Sequence, residues 1–72
     1  MQTTQTVSIV VNGEPKSAAS GLSVSQLLET LGLQAGRVAI ERNLQILPRS
    51  EWATTQVAAG DRYEIVQFVG GG

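Results

Sequence analysis

The chain has 72 residues, of which 42% are hydrophobic and 15% are charged, and its net charge is −1 at neutral pH. This length allows one small domain and excludes a second. The chain contains neither cysteine nor histidine, which excludes disulfides, thiolate or imidazole metal sites, thiol nucleophiles and Ser-His triads. We therefore expect a protein that is not an enzyme, with no catalytic residue, metal site or bound cofactor of its own.

Charge and hydropathy patterns bear on partners and location. The five basic residues are dispersed and are offset by six acidic ones, so no basic stripe favours nucleic-acid binding. The apolar stretches are too short to span a membrane. Residues 1–6 are polar and lack the charged and apolar regions of a secretory signal. These features predict a cytoplasmic protein that binds neither nucleic acid nor membrane.

The N-terminal part of the chain predicts a β-hairpin. Residues 7–11 are mostly β-branched, which is typical of a strand. Asn12-Gly13 follows and suits the two positive φ angles of a type I′ turn, so Glu14–Ala19 is predicted to be the return strand. Because Pro15 has no amide hydrogen to donate, we expect this second strand at a sheet edge.

The next segment predicts a short amphipathic helix over residues 24–31. Ser23 and Gln26 have the spacing of a capping box, and Gly32 suits the left-handed position that ends many helices. The apolar residues recur with helical spacing at Val24, Leu27, Leu28 and Leu31.

Three further strands are predicted in the C-terminal half, over residues 37–42, 44–47 and 62–69. Val38 and Ile40 are expected to point into the core. Ser50 is expected to cap a single helical turn over residues 51–53, before the last strand. The order of two strands, one helix and three strands indicates an α+β protein with a mixed five-stranded sheet and the main helix on one face. The β-grasp fold, which is the fold of ubiquitin, has this order of elements.

The domain is predicted to span residues 7–69, with a polar extension over residues 1–6 and a flexible tail over residues 70–72. Alternation along the last strand turns Tyr63 and Ile65 towards the helix, with the Tyr63 hydroxyl at the rim of the core. The other side of this strand carries an apolar pair with flanking charges, which makes it a candidate docking patch: Arg62, Glu64, Val66 and Phe68. Single exposed hydrophobic residues are also ordinary on protein surfaces, and alternation alone leaves both interpretations open.

The chain ends in Gly70, Gly71 and Gly72. Glycine has no Cβ, so such an arm can enter a narrow channel in an extended form, and nothing shields its terminal carbonyl carbon. Once the carboxylate is activated, for example as an acyl-adenylate, sulfur or an amine can capture it. A glycine-rich end is also compatible with a frayed terminus of no function.

Several segments together resemble the ThiS family, the sulfur carriers of bacterial thiamine biosynthesis. They are the first strand with Asn12-Gly13, the capped helix, residues 37–43, the stretch Ile-Leu-Pro-Arg-Ser-Glu-Trp-Ala at residues 46–53, and the last strand with its glycine end. The resemblance covers residues 7–72. The specific part is the Pro-Arg-Ser-Glu-Trp sequence followed by the diglycine end. The diglycine end alone is not specific, because ubiquitin and the small subunits of molybdopterin synthase also end in diglycine.

The resemblance implies a mechanism and a set of partners. An adenylyltransferase of the ThiF type would activate the Gly72 carboxylate with ATP, and a cysteine desulfurase would supply the sulfur that gives a thiocarboxylate. A thiazole synthase of the ThiG type would then take the sulfur. Gly72 is the modified residue in this scheme, and Gly70 and Gly71 form the tail that enters the partner's channel. The alternatives are sulfur transfer to molybdopterin or tRNA, a ubiquitin-like modifier joined to lysines, and an interaction domain whose tail has no role.

Overall fold

A computed structural model describes residues 5–68, which form a single mixed sheet with one α-helix on one face. The five strands are arranged in the order β2-β1-β5-β3-β4, and this confirms the predicted α+β architecture. The strands are β1 (Thr6–Val11), β2 (Glu14–Ala19), β3 (Val38–Arg42), β4 (Gln45–Leu47) and β5 (Arg62–Gln67), and the helix is α1 (Val24–Thr30).

The β1–β2 hairpin forms as predicted. Asn12 and Gly13 have φ angles of 51° and 82°, the positive values that a type I′ turn requires. β1 begins at Thr6, one residue earlier than expected. Among residues 5–68, β2 pairs with one strand, β1, so the edge position inferred from Pro15 is confirmed.

A capping box holds the N-terminus of α1. The Ser23 hydroxyl accepts a hydrogen bond from the Gln26 amide at 3.1 Å, and the Gln26 side chain accepts one from the Ser23 amide at 3.0 Å. Both contacts satisfy amides that the first turn leaves without helical partners. Within residues 5–68, no helix has the length and apolar character needed to cross a membrane.

A glycine ends α1 one residue earlier than predicted, with Leu31 as the C-cap. Gly32 has a φ of 74°. The amides of Gly32 and Leu33 donate to the carbonyls of Glu29 and Leu28, each at 3.0 Å. This is the hydrogen-bond pattern of a Schellman motif, in which the left-handed glycine lets the chain turn away from the helix axis.

The core lies between α1 and the inner face of the sheet. The helix contributes Val24, Leu27 and Leu28, and the strands contribute alternate residues, including Val38 and Ile40 as predicted. The full buried set is Ile9, Val11, Ala18, Val24, Leu27, Leu28, Val38, Ile40, Trp52, Val57, Tyr63 and Ile65. Burial of these side chains is the main contribution to the stability of a chain this short.

Two strand boundaries in the C-terminal half were predicted one residue too early. A 3₁₀ turn at Ala35–Arg37 leads into β3, which therefore begins at Val38. Leu44 has a φ of 71° and belongs to the β3–β4 turn, so β4 begins at Gln45. The last strand ends at Gln67, earlier than predicted, since Phe68 lies outside it; Val69 lies outside the described residues.

The helical turn before β5 is present, but the predicted Ser50 cap is wrong. A 3₁₀ turn spans Arg49–Glu51 and places Ser50 inside it, and the N-cap is Pro48, which makes no side-chain capping bond. The proline ring presets φ near the observed −62°, so the chain enters the turn without a polar cap. Proline's effect on the backbone therefore outweighs serine's capping preference here.

Candidate functional site: the outer sheet face and the strand that precedes the C-terminus

β5 is the central strand of the sheet and the last element before the C-terminus. It pairs in parallel with β1 and antiparallel with β3. Tyr63 and Ile65 point into the core. Their neighbours along β5 are exposed on the opposite side, together with the residue that follows the strand: Arg62, Glu64, Val66 and Phe68. The alternation predicted for β5 is therefore confirmed, whereas the docking role inferred from it stays a prediction.

The sheet side away from α1 is called the outer face here. Strand register places Ala39 opposite Val66, and Glu41 opposite both Glu64 and Ile46. These five residues surround a depression of about 350 Å³. A second depression, bordered by Phe68, shares Ala39 and Ile46 with the first. Val66 and Phe68 thus belong to one continuous surface, while Arg62 lies at the other end of β5.

The predicted reactive tail cannot be placed. Gly70, Gly71 and Gly72 lie outside the described residues, so their roles stay predictions. The described chain ends one residue after β5. The last described residue, Phe68, donates its backbone amide to the carbonyl of Arg37 at 2.7 Å.

Asparagine side chains hold β5 on both of its flanks. Asn12, at the end of β1, accepts a hydrogen bond from the Ile65 amide at 2.7 Å and donates to the Ile65 carbonyl at 3.2 Å. Asn43, at the end of β3, accepts from the Arg62 amide at 2.9 Å. Each side chain supplies strand-like bonds beyond the point where the neighbouring strand has turned away.

A buried carboxylate fixes the start of β5. Asp61 is 5% exposed, and its two oxygens accept hydrogen bonds from the Ala58 amide (2.9 Å), the Tyr63 hydroxyl (2.8 Å), Asn43 Nδ2 (3.2 Å), and Arg42 Nε and Nη2 (3.0 and 3.3 Å). Arg42 is half-buried and forms the salt bridge to this carboxylate. Asp61 thereby ties the loop before β5 to the end of β3.

This network shifts the pKa values of its members. Burial alone raises the pKa of Asp61, but the bonds from Ala58, Tyr63, Asn43 and Arg42 outweigh burial, and the net pKa is lowered. Burial, together with the bond to Asp61, raises the pKa of Tyr63 to about 12. The predicted position of the Tyr63 hydroxyl at the rim is wrong, because Tyr63 is 1% exposed and its hydroxyl bonds to Asp61 inside the protein.

The Pro-Arg-Ser-Glu-Trp stretch closes one end of the core. Trp52 is buried, and its Nε1 donates to the carbonyl of Leu47 at 2.9 Å. The Arg49 guanidinium lies 5.4 Å from the centroid of the Trp52 ring, within cation–π range. These contacts give Trp52 a structural role at this end of the core. Residues 5–68 contain no group of three or more acidic, histidine or cysteine side chains arranged to hold a metal ion.

Two exposed hydrophobic residues of the β3–β4 hairpin escaped the sequence analysis. Leu44 is 90% exposed and Ile46 is 78% exposed. The sequence predicts a strand at both positions but indicates no face for either side chain. The register with β3 could have signalled that Ile46 points outwards, because Leu47 pairs with the inward-facing Ile40.

Residues 9–72 match the ThiS family. The chain belongs to the ThiS family. The matched range takes in β5 and the three C-terminal glycines, so the last strand and the tail both lie within the shared region.

Solved and curated relatives agree with this membership. The crystal structure of the thiamine biosynthesis protein ThiS from Geobacter metallireducens is similar with a TM-score of 0.78 and 38% identity, over 92% of this chain and 100% of that one. The sulfur carrier protein ThiS of Escherichia coli is 36% identical over 64 residues, which are 89% of this chain and 97% of that protein.

A further relative is much longer. The thiazole synthase of Paramagnetospirillum magneticum is 45% identical over 64 residues, which are 89% of this chain but 20% of that protein. This chain therefore spans one fifth of that relative's length. A segment of the ThiS type thus occurs within the polypeptide of a thiazole synthase.

Proposed function

We propose that this protein is a sulfur carrier of thiamine biosynthesis and that the Gly72 carboxylate carries the sulfur. The observation that carries this proposal is the match to the ThiS family, which continues through residue 72. One relative in this match is a sulfur carrier protein, and the similarity covers nearly the whole length of that protein. The absence of cysteine and histidine from the whole chain adds support, because no side chain offers a thiolate for sulfur. The protein is then a substrate of its partner enzymes.

The proposed reaction begins with an adenylyltransferase of the ThiF type. The Gly72 carboxylate attacks the α-phosphorus of ATP, pyrophosphate leaves, and an acyl-adenylate forms. A persulfide that originates from a cysteine desulfurase attacks the carbonyl carbon and displaces AMP, which gives an acyl disulfide. A thiol then attacks the outer sulfur of that disulfide, is itself oxidised to a new disulfide, and releases the thiocarboxylate. The ATP binds to the partner, and this chain contributes an unshielded carbonyl carbon on an arm of three glycines.

The proposed acceptor of the sulfur is a thiazole synthase of the ThiG type. The support is the longer relative, in which a segment similar to this chain is part of a thiazole synthase polypeptide. A carrier and the enzyme that uses it gain effective concentration when they share one chain. We propose that this chain donates its sulfur to an enzyme of that type.

Intact-mass measurement tests the carrier role. The full chain is incubated with ATP, the adenylyltransferase and a sulfur source. Replacement of one oxygen by sulfur should add about 16 Da, as the acyl-activation route requires. A chain that lacks residues 70–72 is the control and should keep its fold but gain no mass, since a chain terminus contributes little to folding. An unchanged mass for the full chain, or a gain by the truncated one, would refute the proposal.

A further inference from the structure

The basic side chains of this protein are of two chemical types in unequal number. The chain has four arginines and one lysine, Lys16. A lysine amine that loses its proton is a nucleophile, whereas an arginine guanidinium stays protonated in proteins. This distinction bears on an activated Gly72, because an amine can attack an acyl-adenylate, expel AMP and form an amide in place of the thiocarboxylate.

Two arginines lie close to the last described residue, Phe68. The carbonyl of Arg37 accepts the backbone amide of Phe68 at 2.7 Å, and Arg49 borders the same depression as Phe68. Both arginines are exposed. Four residues follow Phe68, and a chain of four residues spans at most about 14 Å. Side chains at both positions are therefore within reach of the carbonyl carbon of Gly72.

The one lysine lies far from the chain end. Lys16 belongs to β2, two strands away from β5, and pairs with Ile9 of β1. Val10 of β1 lies beside Arg62 of the parallel strand β5, so Lys16 is level with residue 61. Residue 61 precedes Phe68 by seven positions, and seven strand residues with two strand spacings separate the Cα atoms of Lys16 and Phe68 by about 25 Å. The tail and a lysine side chain together cover about 20 Å, so this amine stays out of reach.

We propose that Arg37 and Arg49 preserve the activated terminus for sulfur, because they place positive charge near the tail without a competing amine. This inference rests on the proposed function and adds to it two residues that determine the choice of nucleophile. A lysine at either position would attack the carbonyl carbon of the Gly72 adenylate. The new C–N bond would form, the bond from carbon to the phosphate oxygen would break, AMP would leave with its electron pair, and the amine would lose a proton to water.

Tethering favours this competing reaction. Groups joined by a short flexible linker meet at an effective concentration in the millimolar range. The resulting amide would close the tail onto the domain and could no longer accept sulfur. An amine at position 37 or 49 would thus turn the carrier into a dead-end product.

Arg37→Lys and Arg49→Lys test the inference, because each introduces an amine within reach and keeps the positive charge. Each full-length variant is incubated with ATP and the adenylyltransferase, without a sulfur source, at about pH 8.5, where roughly one lysine amine in a hundred is deprotonated. Intramolecular amide formation removes the elements of water, so the intact mass should fall by about 18 Da. Trypsin digestion should then yield a branched peptide that joins Gly72 to the new lysine. The wild type should form this product at least about tenfold more slowly.

Ser17→Lys is the matched control for an added amine. Ser17 is exposed on β2 beside Lys16, beyond the reach of the tail, so this variant should behave like the wild type. Arg37→Gln is the control for charge, since it removes the guanidinium without adding an amine and should form no amide.

Hydroxylamine in a parallel reaction reports activation of Gly72 separately, because its capture as a hydroxamate adds about 15 Da. Hydroxamate in every variant, with no amide in Arg37→Lys or Arg49→Lys, would overturn this inference and leave the carrier role standing. An intramolecular amide in the wild type or in Ser17→Lys would also overturn it, since distant amines would then be within reach. No hydroxamate from the wild type would refute the proposed function and this inference with it.

Discussion

Replacing Asp61 by alanine tests how far one buried carboxylate holds β5 in place. The change removes the acceptor of five hydrogen bonds. The Tyr63 hydroxyl and the Ala58 amide lose their partner, and an unsatisfied buried polar group costs about 1–3 kcal/mol. Arg42 has a side chain that is 31% exposed, so water replaces much of its interaction. We expect the free energy of unfolding to fall by about 3 kcal/mol.

Urea denaturation followed by Trp52 fluorescence measures this loss, because Trp52 is 3% exposed in the folded protein and becomes solvated on unfolding. A domain of this length has a stability of roughly 4–11 kcal/mol. With a slope of about 1 kcal/mol per molar urea, the midpoint should move down by about 3 M at unchanged slope.

Tyr63→Phe provides the control, because it removes the hydroxyl alone and leaves Asp61 four donors. It should cost about 1 kcal/mol. The double variant with Asp61→Ala should be less destabilised than the two single changes added together, since no orphaned hydroxyl remains. A loss below about 1 kcal/mol for Asp61→Ala, or full additivity, would contradict the view of Asp61 as an organising residue.

Three more predictions concern titration and backbone geometry. Because folding lowers the pKa of Asp61, its carboxylate stabilises the fold above the unfolded-state pKa, and this stabilisation should disappear as pH falls below about 4. Because folding raises the pKa of Tyr63 to about 12, stability should also fall as pH rises from about 10. Urea midpoints across pH measure both, and a flat acid limb in the wild type would contradict the first. Gly32→Ala should cost about 1 kcal/mol through its φ of 74° alone, since an added Cβ meets no atom within 4 Å; unchanged thermal stability would contradict this. Asn12→Gly keeps the turn but removes two bonds to β5, so stability should fall by about 1–2 kcal/mol and the Ile65 amide should exchange faster; Gly13→Ala, which keeps those bonds, should not accelerate that amide selectively.

Local signals explain which parts of the fold were predictable. The capping box, the Asn12-Gly13 turn and the Gly32 helix end each depend on neighbouring residues, and each is confirmed. Strand boundaries near Leu44 failed because leucine has no intrinsic preference for positive φ. The turn conformation there follows from the pairing of Arg42 with Gln45, a tertiary constraint on a residue that would favour a strand by itself.

The candidate site was less predictable because its parts come from separate strands. Alternation along β5 was enough to turn Val66 outwards. The partners of Val66 on the outer face, however, depend on the order of strands in the sheet. Ala39 and Ile46 come beside it only because β5 lies next to β3 and β3 next to β4. Sequence alone gives Asp61 no role for the same reason, since Arg42 and Asn43, which donate to its carboxylate, lie 19 and 18 residues away along the chain.

The contacts around β5 suggest why so small a domain holds its last strand so firmly. Polar contacts fix this strand on both flanks and at its start, through Asn12, Asn43 and Asp61. Burial of a few side chains alone would leave the end of the strand free to fray. If partners pull on a short glycine arm, the strand must resist that load without unfolding. The Asn12→Gly variant should therefore lose more of the sulfur transfer from Gly72 than of its binding to the adenylyltransferase. Equal losses in transfer and binding would indicate that the clamp serves folding alone.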